Sequence, residues 1–197
     1  KPGILHIHLG GCGRQLEGII EIVEEAYLPI KHFRPTHLDC NPKAALRFME
    51  LGGWADFTAE PSKTDELYDV IQKAGIEHLT VSSDSNGSIP VWNEARDQVV
   101  AVKVGGMDPL YEIIRNLVVD FNVPMETAIQ LITSNVARAL ELYPEKGTVR
   151  PGSHADMVLL DENLHIDTVM AMGKLMMKDK QLLVKGAFRS EERRVGK

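Results

Sequence analysis

Apolar positions recur along the chain with two spacings, which together predict an alternation of strands and helices. Short apolar runs over residues 3–8, 33–38, 54–59 and 79–83 predict four buried strands. Apolar residues at helical spacing follow each of the first three runs, and glycines end two of these helices. Strands that alternate with helices across short loops form parallel sheets with right-handed crossovers. This part of the chain therefore predicts an α/β fold.

The pattern changes twice further along. Residues 89–106 mix Pro, Trp, Asn and charged residues around a short valine-rich run, which predicts a hairpin or flap. Helices are then predicted from Asp108 and from Pro124, the second extending to Leu140. Beyond Tyr143 the chain becomes a series of short strands separated by turns. We therefore expect an α/β domain over 1–142, part of a small β domain over 143–188, and a disordered or foreign tail over 189–197.

Composition narrows the classes of partner. The 197 residues are 44% hydrophobic, which suffices for a sizeable core, and the net charge of −6 argues against nucleic acid and anionic membranes. No apolar run is long enough to span a bilayer. Cys12 and Cys40 are the only cysteines, and without a secretory signal they are expected to be free thiols in the cytoplasm. Because the chain opens on Lys1 and enters a strand at once, we also expect it to be part of a longer protein.

Three potential metal ligands lie at the ends of predicted strands. His8 ends the first, His37 ends the second, and Asp84 follows the fourth. Catalytic groups of parallel α/β folds lie at such carboxyl ends, and imidazole with carboxylate is a typical zinc ligand set. Each residue also has an ordinary interpretation, since Asp84 precedes turn-forming residues and His37 suits a loop. His6, two residues before His8 and on the same face, equally suits a packed interior.

Four motifs in this order resemble the β-aspartyl (isoaspartyl) dipeptidases of the amidohydrolase superfamily. They are Lys-Pro-Gly-x-x-x-x-His at 1–8, Pro-Thr-His at 35–37, Ser-Ser-Asp-x-Asn-Gly-Ser at 82–88, and Pro-Gly-x-x-Ala-Asp-x-Val-Leu-Leu at 151–160. The Ser-Ser-Asp run is the most specific of them. The resemblance extends over about residues 1–188.

The resemblance implies the second half of a (β/α)8 TIM-type barrel with part of a small β-sandwich domain. It implies a binuclear zinc centre in which His8 and His37 bind one metal ion and Asp84 binds the other and acts as general base. Ser88 would help hold a small peptide substrate. The implied activity is hydrolysis of β-aspartyl dipeptides by a zinc-activated hydroxide, in an enzyme that we expect to be a homo-oligomer when intact.

The chain departs from that family in two ways. The family's first half is absent, and with it the H-x-H metal ligands and a bridging carboxylated lysine, so this part alone is expected to be inactive. In addition, Cys40 stands where the family usually has an arginine that binds a substrate carboxylate. Cys40 is therefore the second expected substrate-binding residue, with altered specificity. A cyclic-amide hydrolase of the dihydroorotase or hydantoinase kind and a non-catalytic scaffold are the alternatives.

Overall fold

The fold is described by a computed structural model that covers residues 3–9, 16–95 and 97–184. The chain divides into two compact units, with the boundary between Tyr143 and Pro144. Cys12, most of the first glycine-rich loop and the predicted tail lie outside the described residues. Among the described helices, none is long and apolar enough to cross a membrane.

The first unit begins with four short parallel strands that alternate with three helices. In chain order the elements are β1 Leu5–His8, α1 Leu16–Glu25, β2 Phe33–Thr36, α2 Pro42–Glu50, β3 Ala55–Thr58, α3 Thr64–Ala74 and β4 Leu79–Ser82. The predicted α/β alternation is confirmed in each of these elements. Asn41 caps α2 because its side-chain oxygen accepts from the Ala44 N–H, and Pro42 occupies the first turn, where a missing N–H costs nothing.

Backbone hydrogen bonds join the four strands in two parallel pairs. In the first pair, His8 lies opposite Thr36, and in the second, Thr58 lies opposite Ser82. Within the described residues, no backbone ladder connects β2 to β3. These two strands are instead linked through side chains, because the Thr36 hydroxyl donates to Asp56 Oδ2 at 2.5 Å.

The core of this unit lies between the strands and their helices. On β3 and β4 the apolar side chains alternate with polar ones, so that one face of each strand is buried in the core while the other carries hydroxyl and carboxyl groups. The largest fully buried apolar side chains are Leu16, Leu38, Phe48, Val70, Leu79, Ile113, Ile114, Leu117 and Leu131.

A hairpin and three helices complete the first unit. Strands β5 Ser88–Trp92 and β6 Val99–Val104 pair antiparallel, which confirms the predicted hairpin. Helix α4 spans Asp108–Val119, as the sequence predicts. The single helix predicted from Pro124 to Leu140 is wrong: α5 Met125–Ala128 and α6 Ser134–Ala139 are separated by a 3-10 turn over Ile129–Ile132.

The break has a local cause at Thr133 and a tertiary cause at Asn135. The Thr133 hydroxyl donates to the Ile129 carbonyl at 2.7 Å, and Thr133 itself has φ −127° and ψ −91°, outside the helical region. Asn135 is buried and donates to the carbonyls of Ile76 and Leu79 at 2.8 and 2.9 Å. Because these two carbonyls precede and begin β4, the contact ties α6 to the strand that leads to Asp84.

The second unit is a single antiparallel sheet. Its strands are β7 Met157–Leu160, β8 Ile166–Ala171, β9 Lys174–Lys178 and β10 Gln181–Leu182, in the spatial order β10-β9-β8-β7. The sequence predicted short strands separated by turns in this region. The described residues of this unit form one sheet, and the β-sandwich stays a prediction.

Candidate metal centre

The three predicted metal ligands lie together. His8 is the last residue of β1, His37 directly follows β2, and Asp84 comes two residues after β4. One ligand atom from each, imidazole nitrogen or carboxylate oxygen, lies within 4.8 Å of the other two. His8 is exposed, whereas His37 and Asp84 are half-buried. The cluster thus combines open access with partial shielding from water.

The two imidazoles face each other through defined nitrogens. His8 Nδ1 lies 2.9 Å from His37 Nε2, and the ring planes are inclined by 53°. The other nitrogen of His37, Nδ1, lies 2.8 Å from the Thr58 hydroxyl oxygen. Two converging imidazole nitrogens with a carboxylate oxygen fit a zinc ion, because zinc binds these donors and keeps further positions for water in catalytic sites.

Backbone conformation sets the direction of two of these side chains. His37 has φ +67° and Asp84 has φ +46°, in the left-handed region that residues other than glycine seldom adopt. Such residues cost about 1 to 3 kcal/mol each and concentrate at functional sites. At His37 the turn is held by its carbonyl, which accepts from the Cys40 thiol at 2.9 Å.

The loop that holds Asp84 is compact and closes on the hairpin. The N–H of Gly87 donates to the Asp84 carbonyl at 3.1 Å, and the N–H of Asn86 donates to the Gly105 carbonyl at 3.0 Å. A Cβ atom at Gly87 would lie 2.9 Å from the Asp84 carbonyl oxygen and 3.2 Å from its carboxylate Oδ2. Glycine is therefore required at this position, and the next residue, Ser88, begins β5 at the base of the hairpin.

Cys40 lies one short 3-10 turn after His37 and is exposed. Partial desolvation of the sulfur and, next, the charge of Asp39 raise the pKa of the Cys40 thiol, against opposing effects of a backbone hydrogen bond and Lys63. The residue is thus a neutral thiol at neutral pH. Its sulfur contacts the backbone of the His37 turn, close to the candidate ligands.

Sequence reasoning missed a carboxylate beneath the cluster. Asp56, on β3, accepts hydrogen bonds from the hydroxyls of Thr36 at 2.5 Å, Thr80 at 2.7 Å and Ser82 at 2.6 Å. The period of two in each strand could have indicated this group in the sequence. It places Asp56 and Thr58 on one face of β3, and Thr80 and Ser82 on one face of β4. His6 also lies below the cluster, with its ring centroid 4.9 Å from that of His8, and is not among the converging ligands.

The family follows from a comparison of the sequence with known protein families. The model of the amidohydrolase family matches residues 6–176. This chain belongs to the amidohydrolase family. Members of this family are hydrolytic enzymes that generally bind metal, and their fold is of the TIM-barrel type.

Two relatives that match the chain in sequence are adenine deaminases. The chain is 30% identical over 176 residues to an adenine deaminase of Clostridium botulinum, covering 88% of this chain and 26% of the relative. It is 31% identical over 134 residues to adenine deaminase 2 of Jannaschia sp., covering 67% of this chain and 18% of the relative.

A solved structure matches more of the chain than either deaminase does. A β-aspartyl dipeptidase of Fervidobacterium islandicum AW-1, solved with β-Asp-Leu, has a TM-score of 0.84 and 29% identity over 95% of this chain. The chain covers 51% of that structure, and it spans about a fifth to a quarter of the two deaminases.

Proposed function

We propose that this chain forms the second half of the active site of a metal-dependent hydrolase that cleaves β-aspartyl (isoaspartyl) dipeptides. In this proposal β1–β4 are half of a (β/α)8 barrel. The observation that supports it most strongly is the convergence of His8, His37 and Asp84 at the ends of their strands, within 4.8 Å of one another. The dipeptide substrate is supported by the similarity to the F. islandicum dipeptidase along 95% of the chain.

Two zinc ions are the proposed cofactor, with further ligands, including a carboxylated lysine, supplied from outside this chain. When bound, zinc would lower the pKa of water and polarise the amide carbonyl. His8 and His37 would hold one ion as neutral imidazoles, through the nitrogens that face each other at 2.9 Å. Asp84 would contact the other ion.

Asp84 also has the proposed role of general base. Its carboxylate has two oxygens, so one can bind metal while the other takes the proton of the attacking water. As the carbonyl carbon gains the water oxygen and the C–N bond breaks, Asp84 would pass that proton to the leaving amine nitrogen. Gly87 leaves room for this carboxylate, because a Cβ atom at that position would lie 3.2 Å from Asp84 Oδ2.

Two further residues are proposed to contact a small peptide substrate. Ser88 begins β5 at the base of the β5–β6 hairpin, four residues after Asp84. Cys40 stands close to His37 and offers a neutral thiol where a cationic group would bind a substrate carboxylate. Because a neutral thiol cannot pair with a carboxylate as an arginine does, we expect this protein to bind the dipeptide carboxylate more weakly than a relative with arginine at the position of Cys40.

Deamination of adenine is a second candidate, favoured by the two deaminases that are at least 30% identical to the chain. Like amide hydrolysis, this reaction begins with the attack of activated water on a carbon that bears nitrogen.

Intact protein should be assayed with β-Asp-Leu, adenine and dihydroorotate at equal concentrations. Release of leucine alone supports the dipeptidase, release of ammonia from adenine supports the deaminase, and ring opening of dihydroorotate supports a cyclic-amide hydrolase. Absence of turnover in all three, with metal bound, supports the scaffold.

The role of Asp84 is tested by Asp84→Asn in the intact protein. Loss of general-base assistance should lower turnover by about 10² to 10⁴ while the fold is retained. The matched control is Asp97→Asn in the hairpin turn, because this exposed carboxylate bonds only locally to Asn93 in the described structure. Near-normal turnover of metal-loaded Asp84→Asn would refute the assignment.

A further inference from the structure

Thr58 contacts both sides of the His37 turn. It is the last residue of β3 and is half-buried. Its hydroxyl oxygen lies 2.8 Å from His37 Nδ1, and its backbone N–H donates to Asp39 Oδ1 at 3.2 Å. Thr58 therefore holds the imidazole itself and the residue two positions after it.

We propose that Thr58 is a positioning residue that fixes the tautomer of His37. This inference rests on the proposed metal-dependent function. A neutral imidazole carries one N–H, and the nitrogen that carries it cannot bind a metal ion. A hydroxyl can donate or accept; in this proposal it accepts from Nδ1–H, which leaves the lone pair of His37 at Nε2, the nitrogen that faces His8 at 2.9 Å. Thr58 thus presents the correct nitrogen to the candidate metal site.

The need for such a contact follows from the backbone at His37. The residue lies past the end of β2 in a left-handed conformation. The hydrogen bonds of the β1–β2 pair therefore do not hold the backbone that carries the His37 ring. Within the described residues, β2 and β3 are joined by side-chain contacts and not by a backbone ladder. The His37–Thr58 contact lies at the carboxyl ends of these two strands. Partners of this kind orient metal-binding histidines, and their loss typically lowers metal affinity by about 10- to 100-fold.

The chain offers a close set of variants for the test. Thr58→Val keeps the branched shape and removes the hydroxyl, whereas Thr58→Ser keeps the hydroxyl. Thr64→Val is the matched control, because Thr64 is also a threonine with a hydroxyl bond, to the Pro61 carbonyl at 2.8 Å, but lies in α3 and contacts no candidate ligand. Each variant is made in the intact protein.

Two measurements are made on each variant. Zinc affinity is obtained by competition with a chromophoric chelator, and the protonated nitrogen of His37 is identified in metal-free protein by 15N NMR of labelled histidine. Wild type and Thr58→Ser should show His37 as the Nδ1–H tautomer. Thr58→Val should show a tautomer mixture and bind zinc about 10- to 100-fold more weakly, with Thr64→Val close to wild type.

The outcomes separate this inference from the proposed function. If wild type binds zinc and Thr58→Val binds it as tightly as Thr64→Val does, the role of Thr58 is refuted while the metal site stands. An Nε2–H tautomer in metal-free wild type would refute it in the same way. If the His37 signals of wild type do not respond to zinc, the proposed metal site fails and this inference fails with it.

Discussion

Removal of the Asp56 carboxylate should destabilise the protein strongly, because Asp56 connects the two strand pairs. The Thr36 hydroxyl reaches it from β2, and the Thr80 and Ser82 hydroxyls reach it from β4. Thr36 is 2% and Thr80 is 6% exposed, so water cannot readily replace the carboxylate for these two hydroxyls. Ser82 is half-buried and is more easily rehydrated.

The magnitude follows from the three bonds. A hydrogen bond to a charged group contributes about 1.5 to 3 kcal/mol, and a buried hydroxyl left without a partner costs about 1 to 3 kcal/mol. Since Asp56 is half-buried and the terms are not additive, Asp56→Ala should lower the free energy of unfolding by about 2 to 5 kcal/mol. Asp56→Asn keeps one acceptor oxygen and should therefore lower the free energy of unfolding by less than Asp56→Ala does.

Chemical denaturation of the intact protein measures these changes. Asp69→Ala on α3 is the control for loss of an aspartate, because Asp69 is 70% exposed and pairs with Lys73 at 3.8 Å; its cost should be below about 0.5 kcal/mol. A double-mutant cycle of Asp56→Asn with Thr36→Val isolates the bond between β2 and β3. A cost of Asp56→Ala similar to that of Asp69→Ala, or no coupling in the cycle, would refute the reasoning.

Three other perturbations test separate parts of the account. Arg34→Met should cost about 2 to 4 kcal/mol in chemical denaturation, since the buried guanidinium donates to the Ala139 carbonyl at the end of α6; an unchanged midpoint would contradict this. Hydrogen bonds from Lys180 and from backbone N–H groups hold the pKa of Asp161 well below its usual range, so its stabilisation is present above about pH 3.9 and lost below it. The difference in melting temperature between wild type and Asp161→Asn should therefore shrink as the pH falls through this region, and a constant difference would argue against it. Cys40→Arg in the intact enzyme should lower KM for β-aspartyl dipeptides about tenfold or more with little change in kcat, because it restores a charge-assisted contact; an equal or higher KM in folded, metal-loaded variant would count against Cys40 at the carboxylate position.

Local patterns were sufficient to predict the strand ends and to bring together the three candidate ligands. In each case an apolar run gives way to polar residues, as at Leu79 to Asp84, and the parallel arrangement then brings the ends of the strands to one edge. His8, His37 and Asp84 could be predicted as a cluster because each depends on its own strand and on this general rule. The hairpin followed similarly from residues 89–106, where the alternation of strands and helices gives way to Pro, Trp, Asn and charged residues around a valine-rich run.

Long-range contacts explain what the sequence did not predict. The Asp56 bonds to Thr36 and Thr80 join residues 20 and 24 positions apart, so the local period of two places Asp56 on the polar face of β3 but does not identify the hydroxyls that it binds. The break in the helix after Pro124 depends on Asn135, which bonds to the Leu79 carbonyl 56 positions away.

The most direct test of the central claim is the location of metal in the intact protein. Crystals of zinc-loaded protein should be measured with X-rays on both sides of the zinc absorption edge. We expect an anomalous peak in contact with His8 Nδ1 and His37 Nε2, a second peak near Asp84, and loss of the first peak in His37→Ala. Zinc-dependent activity from crystals with no peak between His8 and His37 would contradict it.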